Sequence, residues 1–596
     1  MTYTAPLADM RFALREVAGL QHVASLPGYE HATEDTVDAV LEEAAKLAGN
    51  GLAPLNRDGD KVGARLENGV VRTAPGFAGI YKEFVDGGWN SLPFDPEFGG
   101  QGMPWLLAAT VQEMWQAANM GFGLVLLLNQ GAIDAIHHHG SAEQKARYLP
   151  KMIAGEWTGT MNLTEPQAGS DLAQLKCKAV KDGDHYRITG QKIFITYGEH
   201  DMAENIVHLV LARTPDAPAG VRGISLFIVP KFLPEADGKP GRRNDLRCVS
   251  LEHKLGIHAS PTCVMSFGDD GGAIGTLVGE EGRGLSYMFT MMNNARLSVG
   301  IQGLAIAERA YQQASAFAKT RVQSKDDGSA RPEPVSIIHH PDIRRMLMTM
   351  RAQIEAMRAL GYYTAAGIDG ALKHPDRAQA RRIQDRVDLL IPIVKAWFTD
   401  LGNEIASVGV QVHGGMGFIE ETGAAQHLRD ARILPIYEGT NGIQARDLVG
   451  RKIARDGGET MLALVAEMRA LAQEMASAPG DDLLAIRSAL SASADALEDA
   501  TNWVAQSVKG ELVAALAGSV PFLRLAGTAL GGWLLAKSAI AAQNRLASRD
   551  GDPAFLEAKL VTARFYAEVV LPPALAQLGP LKAAGRTVFA LSETQL

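Results

Sequence analysis

Residues 186–196 read YRITGQKIFIT and come one residue after Asp182-Gly183-Asp184. β-Branched and aromatic residues dominate the run, and Asp-Gly before it is a hairpin-turn signal, so the stretch predicts a long strand entered through a tight turn. Ile206 to Ala212, Ile224 to Val229 and Cys263 to Phe267 are further strand candidates, separated by Pro and Gly clusters. These runs are too closely spaced for crossover helices, and a compact β domain of about a hundred residues is expected.

On either side the period of the apolar residues changes. Upstream, Val37, Val40, Leu41, Ala44 and Leu47 recur at helical spacing and a second run covers Leu106 to Ala135, with loops at Asn90–Asp95 and Phe98–Gly102 between them. Downstream, Leu285 to Lys319, Asp342 to Ile368, Ala378 to Val412 and Gly439 to Ile453 are helical, which predicts a four-helix arrangement. ASAPGDD at 476–482 reads as an interruption, and the Ala- and Leu-rich remainder to about Leu591 gives more amphipathic helices. The expected fold is α+β, with helical, β, helical and again helical domains bounded at 1–157, 158–280, 281–455 and 456–596.

Bulk properties exclude several functional classes. A chain of 596 residues suggests roughly four domains and a large core. Net charge is −9 with both signs scattered and no long basic block, which argues against a nucleic-acid partner. Cys177, Cys248 and Cys263 are the three cysteines and none forms a CxxC pair, so neither a disulfide scaffold nor a structural zinc site is expected, and a reducing cytoplasm fits. The opening MTYTAPLADMRFALREVAGL lacks a basic start with an unbroken apolar stretch, unlike a secretory signal. Leu512 to Ala536 is apolar but interrupted by Pro521, Arg524 and glycines; buried helices are expected there, no transmembrane segment, and a membrane-surface role is the second reading. His137-His138-His139 does not predict a metal site, because consecutive helical residues point in different directions; His339-His340 reads the same way.

Four stretches carry candidate chemistry. Met161-Asn162-Leu163-Thr164-Glu165-Pro166-Gln167-Ala168-Gly169-Ser170-Asp171 offers hydroxyls and backbone N–H groups around a proline, suited equally to a capped turn or to a flat polar ligand. Phe194-Ile195-Thr196 ends the long strand and reads as sheet core or ligand backing. Gln411-Val412-His413-Gly414-Gly415-Met416-Gly417 follows a helix, the wrong context for a Rossmann fingerprint, yet its glycines permit close backbone approach. In RILPIYEGTNGIQ, residues 432–444, Glu438 stands between an apolar run and a Gly-Thr-Asn-Gly turn. A carboxylate at such a core edge is either paired or put to use.

Taken together, Leu163-Thr164-Glu165-Pro166 with Ala168-Gly169-Ser170-Asp171, the loop 411–417, and Arg429-Asp430-Ala431 running into Tyr437-Glu438-Gly439-Thr440 resemble the acyl-CoA dehydrogenase family over about residues 80–455. The resemblance implies the family's fold, with an N-terminal helical domain, a central β-barrel domain, a C-terminal four-helix bundle and here an extra C-terminal helical domain. It implies FAD-dependent desaturation of an acyl-CoA thioester between Cα and Cβ, with electrons passed to an electron-transfer flavoprotein, in a homodimer or homotetramer. An oxidase of the same fold and a flavin-bearing binding protein are the rival readings.

Residue by residue, Met161, Asn162, Leu163, Thr164, Gly169 and Ser170 match the loop over the flavin, Ser170 lying close to CoA as well. Phe194, Ile195 and Thr196 match the flavin-backing strand, with Phe194 where the family commonly has Trp. Arg321 and Gln411, Val412, His413, Gly414 and Gly415 match elements that reach a neighbouring subunit's FAD pyrophosphate; the family's usual Phe-Gly pair after that arginine is replaced by Val322-Gln323-Ser324-Lys325. Asn293, Arg296 and Gly439 match substrate contacts, and Thr440 and Asn441 match residues that meet the flavin. Glu438 matches the catalytic base, its pKa expected to be raised by apolar neighbours. The opening residues and the extra C-terminal helices resemble a large bacterial subgroup of the family.

Overall fold

The computed structural model describes residues 3–326, 333–477 and 480–596; of residues 290–293 and 584 only the backbone is described. Ala478 and Pro479, in the ASAPGDD interruption, therefore lie outside the described residues. The chain divides into two compact units, one of Met1–Ala5, Glu43–Met103 and Met114–Ser298, the other of Pro6–Glu42, Pro104–Glu113 and Val299–Leu596.

The first unit is built on an eight-stranded sheet. Its strands are β1 (Trp157–Asn162), β2 (Lys178–Asp182), β3 (His185–Thr196), β4 (Asn205–Ala212), β5 (Ser225–Pro230), β6 (Leu246–Leu251), β7 (Thr262–Phe267) and β8 (Ala273–Leu277). They run in the order β6-β7-β3-β8-β5-β4-β1, with β2 paired to β3; β1 and β4 are parallel and the other pairs antiparallel. Four of these strands, β1, β2, β6 and β8, were not foreseen, since their sequences are short, polar or Gly-containing. Every residue of β4 and β5 is buried, as near-continuous apolar runs covered on both faces should be.

The expected barrel is present as a sheet curled on itself, and β3 makes the curl. Its residues 190–196 pair with β7 and residues 186–188 with β8. The switch falls at Gly190, whose φ is +135° and where a Cβ would lie 2.4 Å from Cys177 Sγ, so only glycine fits. Against this sheet pack α2 (Met120–His139) and α3 (Ala142–Ala154). The single helical run expected over Leu106–Ala135 is two helices, α1 (Trp105–Ala118) and α2, because Asn119 leaves the helix and caps α2 by accepting from Phe122 N at 3.1 Å. His137, His138 and His139 end α2 with different partners: Asp95 and Phe98, the Asp134 carbonyl, and the Tyr287 ring.

The second unit is helical. Its long members are α4 (Gly284–Thr320, from Val299 onward), α5 (Pro341–Lys373) and α6 (Arg377–His413), followed by the short α7 (Asn441–Asp447), which continues as a π-turn through Ile453. Asp376 caps α6 by accepting from Ala378 N at 2.7 Å, and the three-residue link from α5 forces the two helices to lie antiparallel. The added C-terminal helices include α8 (Asp481–Gly510), α9 (Ser519–Ser548) and α10 (Pro553–Phe565). The glycines of α9 that interrupt its apolar run are packing surfaces: a Cβ at Gly527 would come within 2.5 Å of the Trp397 ring and one at Gly531 within 2.8 Å. Trp397 of α6 thus seats in a glycine groove of the added domain, worth roughly 3 kcal/mol in buried aromatic surface. Among the described residues two helices, α2 and α9, are long and apolar enough to cross a membrane by composition, but 94% and 78% of those windows are buried within the protein. They are core helices, as expected for Leu512–Ala536.

A buried ionic cluster joins the N-terminal extension, the bundle and the added domain. Arg358 of α5 donates to Glu113 at 2.5 Å, to Glu308 at 2.8 Å and to Asp9. Lys559 of α10 reaches the same Asp9, and Glu355 at 3.0 Å, while Tyr362 donates to Glu113 at 2.7 Å. Burial pushes the Asp9 carboxyl up, but the Lys559 and Arg358 charges outweigh it and hold the group down to about 2.

Candidate active site

In the first unit the 161–171 segment begins as strand and ends as loop. Met161 and Asn162 close β1 and are buried; Asn162 Nδ2 donates to Thr160 Oγ1 at 2.8 Å inside the sheet. With these side chains in the core, a cofactor contact at Met161 and Asn162 would run through their backbone. Leu163 and Thr164 are half-exposed, and Gly169 and Ser170 are exposed. The loop is pinned by a pair that sequence reading missed. Lys192 of β3, fully buried, donates to Leu163 O and to Glu165 Oε1, both at 2.9 Å. Glu165 also accepts from Lys176 N at 2.7 Å and Cys177 N at 3.0 Å. Burial raises the Glu165 carboxyl, but Lys192 and the two backbone donors overcome this and bring it down to about 2.

Ile193 N donates to Thr164 O at 3.0 Å, so the loop lies along the end of β3. There Phe194 has φ +61° and its ring is 57% exposed, while Ile195 is buried and Thr196 half-exposed. A bulky residue at positive φ is strained, and such strain collects at binding sites. Of the three strand residues, Phe194 and Thr196 are presented outward; Ile195 belongs to the core. An exposed ring beside the Thr164 and Thr196 hydroxyls suits the face and edge of a flat heteroaromatic ring such as a flavin. Arg296, on the part of α4 that belongs to this unit, is buried, and its neighbour Asn294 donates to Asp134 at 2.7 Å. Burial pushes the Asp134 carboxyl up to about 6. The Asn293 side chain lies outside the described residues.

In the second unit, Glu438 is half-buried on the turn between α6 and α7, with φ +54°, and Gly439 follows at φ +88°. A Cβ at Gly439 would stand 2.7 Å from Gln444 Nε2, so both conformation and space require glycine. The turn closes through Asn441 N to Pro435 O at 3.0 Å and Tyr437 N to Ile433 O at 3.1 Å. Tyr437 OH donates to Gln302 Oε1, and burial, followed by the nearby Glu438 charge, raises the phenol well above its ordinary value. Thr440 caps α7, its hydroxyl accepting from Ile443 N at 3.3 Å.

The Asn441 side chain is held by α6. Its Nδ2 donates to Ala396 O at 3.1 Å, Thr399 Oγ1 at 2.9 Å and Asp400 Oδ1 at 2.7 Å, and its Oδ1 accepts from Lys395 Nζ at 2.9 Å. A flavin contact at this position would run through its backbone. Lys395, fully buried, also donates to Leu434 O at 2.9 Å and Gly439 O at 2.8 Å. Sequence reading missed it, although a lysine inside LLIPIVKAWF is the same signal, a charge in an apolar run, that singled out Glu438.

The ends of α4 and α6 meet. Phe317 stacks on His413 with centroids 4.5 Å apart, one turn before Arg321, which is exposed. The candidate elements Arg321 and 411–415 are therefore brought together. Within the latter, Gln411, Gly414 and Gly415 are exposed, but Val412 is buried and His413 is buried with Nδ1 2.7 Å from Gly409 O. Those two side chains hold the helix end and leave their backbone for a ligand.

Comparison with known proteins shows the family. Family models match residues 34–156 (acyl-CoA dehydrogenase, N-terminal domain), 160–269 (middle domain), 282–454 (C-terminal domain) and 464–592 (acetyl-CoA dehydrogenase C-terminal like). The chain is 50% identical over 594 residues to a 3-methylmercaptopropionyl-CoA dehydrogenase of Ruegeria pomeroyi, covering 99% of this chain and 100% of that one. It is 35% identical over 606 residues to a butyryl-CoA dehydrogenase of Syntrophomonas wolfei, covering 99% and 98%. Among solved structures, an acyl-CoA dehydrogenase from Bacillus anthracis complexed with FAD superposes with TM-score 0.74 at 21% identity, over 98% of this chain and 93% of that one. Covered from one end to the other by these matches, the chain belongs to the acyl-CoA dehydrogenase family and is an oxidoreductase.

Proposed function

We propose that this enzyme binds FAD and converts a short acyl-CoA, in the first place 3-methylmercaptopropionyl-CoA, to its trans-2-enoyl-CoA, with Glu438 as the base. The observation that carries the reading is a carboxylate on a strained, glycine-backed turn at the position the family uses for proton abstraction. Half identity across the whole length to the methylmercaptopropionyl relative, N-terminal extension and C-terminal domain included, supports the substrate.

FAD, when bound, supplies the two-electron acceptor for the hydride leaving Cβ. The chain's own part is to remove the proton from Cα. The Glu438 carboxylate takes it, and negative charge moves to the thioester oxygen, where a backbone N–H of the same turn is suited to receive it. Gly439 leaves the turn narrow enough for the thioester to approach. Phe194, Thr164 and Thr196 would hold the flavin ring, Ser170 the ring and CoA, Arg296 the CoA side, and Arg321 with the Gly414 and Gly415 backbone the pyrophosphate.

The assembly follows from the last pair. In the resemblance these contacts reach a neighbouring subunit's FAD, and Val322, Met416, Phe418 and Ile419 around them are 49%, 46%, 85% and 44% exposed, an apolar rim suited to a second copy in a homodimer or homotetramer. An electron-transfer flavoprotein is the acceptor we infer, and the cytoplasm the location, in keeping with three buried free cysteines.

Two experiments test this. An acyl-CoA panel from short to long chains, including 3-methylmercaptopropionyl-CoA and read by flavin bleaching, should give the largest kcat/KM for the methylmercapto or another short thioester. A maximum at long chains would overturn the substrate, and peroxide release at the turnover rate would identify an oxidase. Arg321→Ala should weaken FAD retention about 10-fold or more, as loss of a charge-assisted phosphate contact does; unchanged cofactor affinity in equilibrium dialysis would remove Arg321 from the site.

A further inference from the structure

Lys395 has no place in the mechanism above, yet its geometry is unusual. It is fully buried near the middle of α6, and its ammonium donates to Leu434 O at 2.9 Å, Gly439 O at 2.8 Å and Asn441 Oδ1 at 2.9 Å. An ammonium carries three protons, and these three acceptors converge on it; a neutral amine, with two, could not serve all three. The acceptors stand before and after Glu438 in the chain, so one atom ties down both arms of the turn. Residues 432–440 form neither helix nor strand, so apart from this ammonium the turn is held by local bonds such as Asn441 N to Pro435 O and Tyr437 N to Ile433 O.

A glutamate at φ +54° is strained by roughly 1–3 kcal/mol and keeps that conformation only if its surroundings over-determine it. Relaxation of Glu438 to negative φ would swing the Gly439 peptide and break the Lys395 to Gly439 O bond first. Asn441 reinforces the clamp from the other side through Ala396 O, Thr399 Oγ1 and Asp400 Oδ1, all on the same helix. Leu434 is fully buried, so its carbonyl, freed of the ammonium, would be an unsatisfied acceptor, and the turn would move to solvate it.

We infer that Lys395 is the positioning residue of the reaction: its ammonium clamps the 434–441 turn and so holds Glu438 in the strained geometry from which it abstracts the α-proton. This rests on Glu438 being the base. The clamp acts on the chemical step and not on ground-state binding, so its loss should appear in kcat and leave KM and FAD content nearly unchanged. Misplacing a catalytic group by about an ångström costs on the order of 100-fold.

The test is stopped-flow flavin reduction by saturating acyl-CoA in FAD-loaded Lys395→Met, with hydrogen exchange of the 434–444 segment measured on both holoenzyme and cofactor-free protein. A rate lower by about 100-fold, with KM and bound FAD within a few-fold of wild type and faster exchange in the turn, is expected. A rate within about threefold of wild type would overturn the inference, as would a slower rate accompanied by proportional FAD loss and unchanged exchange. Lys395→Gln, which keeps two donors, is expected to be intermediate in both readouts and serves should the methionine variant fail to fold; wild-type behaviour of the glutamine variant in both would also overturn it. Glu438→Gln in the same assay separates the two readings. If that variant reduces its flavin normally, the assignment of the base fails; if it is inactive while Lys395→Met is normal, only the clamp fails.

Discussion

Glu438→Gln should bleach its flavin about 1,000-fold more slowly than wild type on mixing with acyl-CoA, while the protein stays yellow and folded. The substitution is nearly isosteric, tolerates the same backbone as glutamate, and removes only the capacity to accept a proton. Exchange of the substrate α-protons with solvent deuterium should vanish together with desaturation, because both begin with the same abstraction. Activity within about tenfold of wild type would mean that another group is the base. The turn itself is not at risk: its hydrogen bonds run through Pro435 O, Leu434 O, Gly439 O and the Asn441 side chain.

Arg358→Met should destabilise the second unit by about 3–5 kcal/mol, the usual result of removing one partner from a buried ionic cluster. Arg358 is 1% exposed, and its loss leaves Glu113 and Glu308 without their shared cation and Asp9 with the Lys559 ammonium. Differential scanning calorimetry at pH 7 should record a transition lower by roughly 5–10 °C. An unchanged transition would show that the cluster is solvated in solution. Adding Glu113→Leu should recover part of the loss, since the penalty comes from the orphaned carboxylate as much as from the missing bond. The cluster also sets an acid limit. A carboxyl held at about 2 instead of its ordinary 3.8 contributes stability that is fully present above pH 3.8 and lost as pH falls through the folded value. That contribution should be smaller in Lys559→Met, whose acid unfolding is expected to be correspondingly less steep in this range.

The two variants probe features of different legibility. Glu438 was readable in the sequence because a carboxylate beside Ile433, Leu434, Pro435 and Ile436 has few structural excuses, and because the surrounding motif is specific. Lys395 shows the same anomaly, but within a long helix its neighbours dictate helix whatever the lysine does. Its partners lie 39 to 46 residues further along the chain, and no local pattern announces them. Asn441 was nominated by its match to the family motif, but its side-chain partners on α6, Thr399 and Asp400, were not legible, because only the pitch of that helix puts them within its reach.

Strands divided in the same way. β3, β4, β5 and β7 carry β-branched and aromatic runs and were found; β1 (WTGTMN) and β8 (AIGTL) exist because a neighbouring backbone offers a ladder, which composition does not record. The glycines of α9 looked like interruptions and are instead the groove for Trp397, a partner on a different helix.

By itself the sequence determined the domain order and the family, and it nominated the loop and strand that suit a flavin and the carboxylate proposed as base, since each rests on a contiguous pattern of period, turn chemistry or motif. Tertiary structure alone decided which of the nominated side chains are presented and which are consumed by the fold: Asn162, Ile195, His413 and Asn441 are turned into the interior, while Lys192 and Lys395 emerge as the charges that hold the two functional loops. The physical reason is that a buried ammonium must find acceptors wherever the packed chain supplies them, and those acceptors are neighbours in space only after the helices and the sheet have closed.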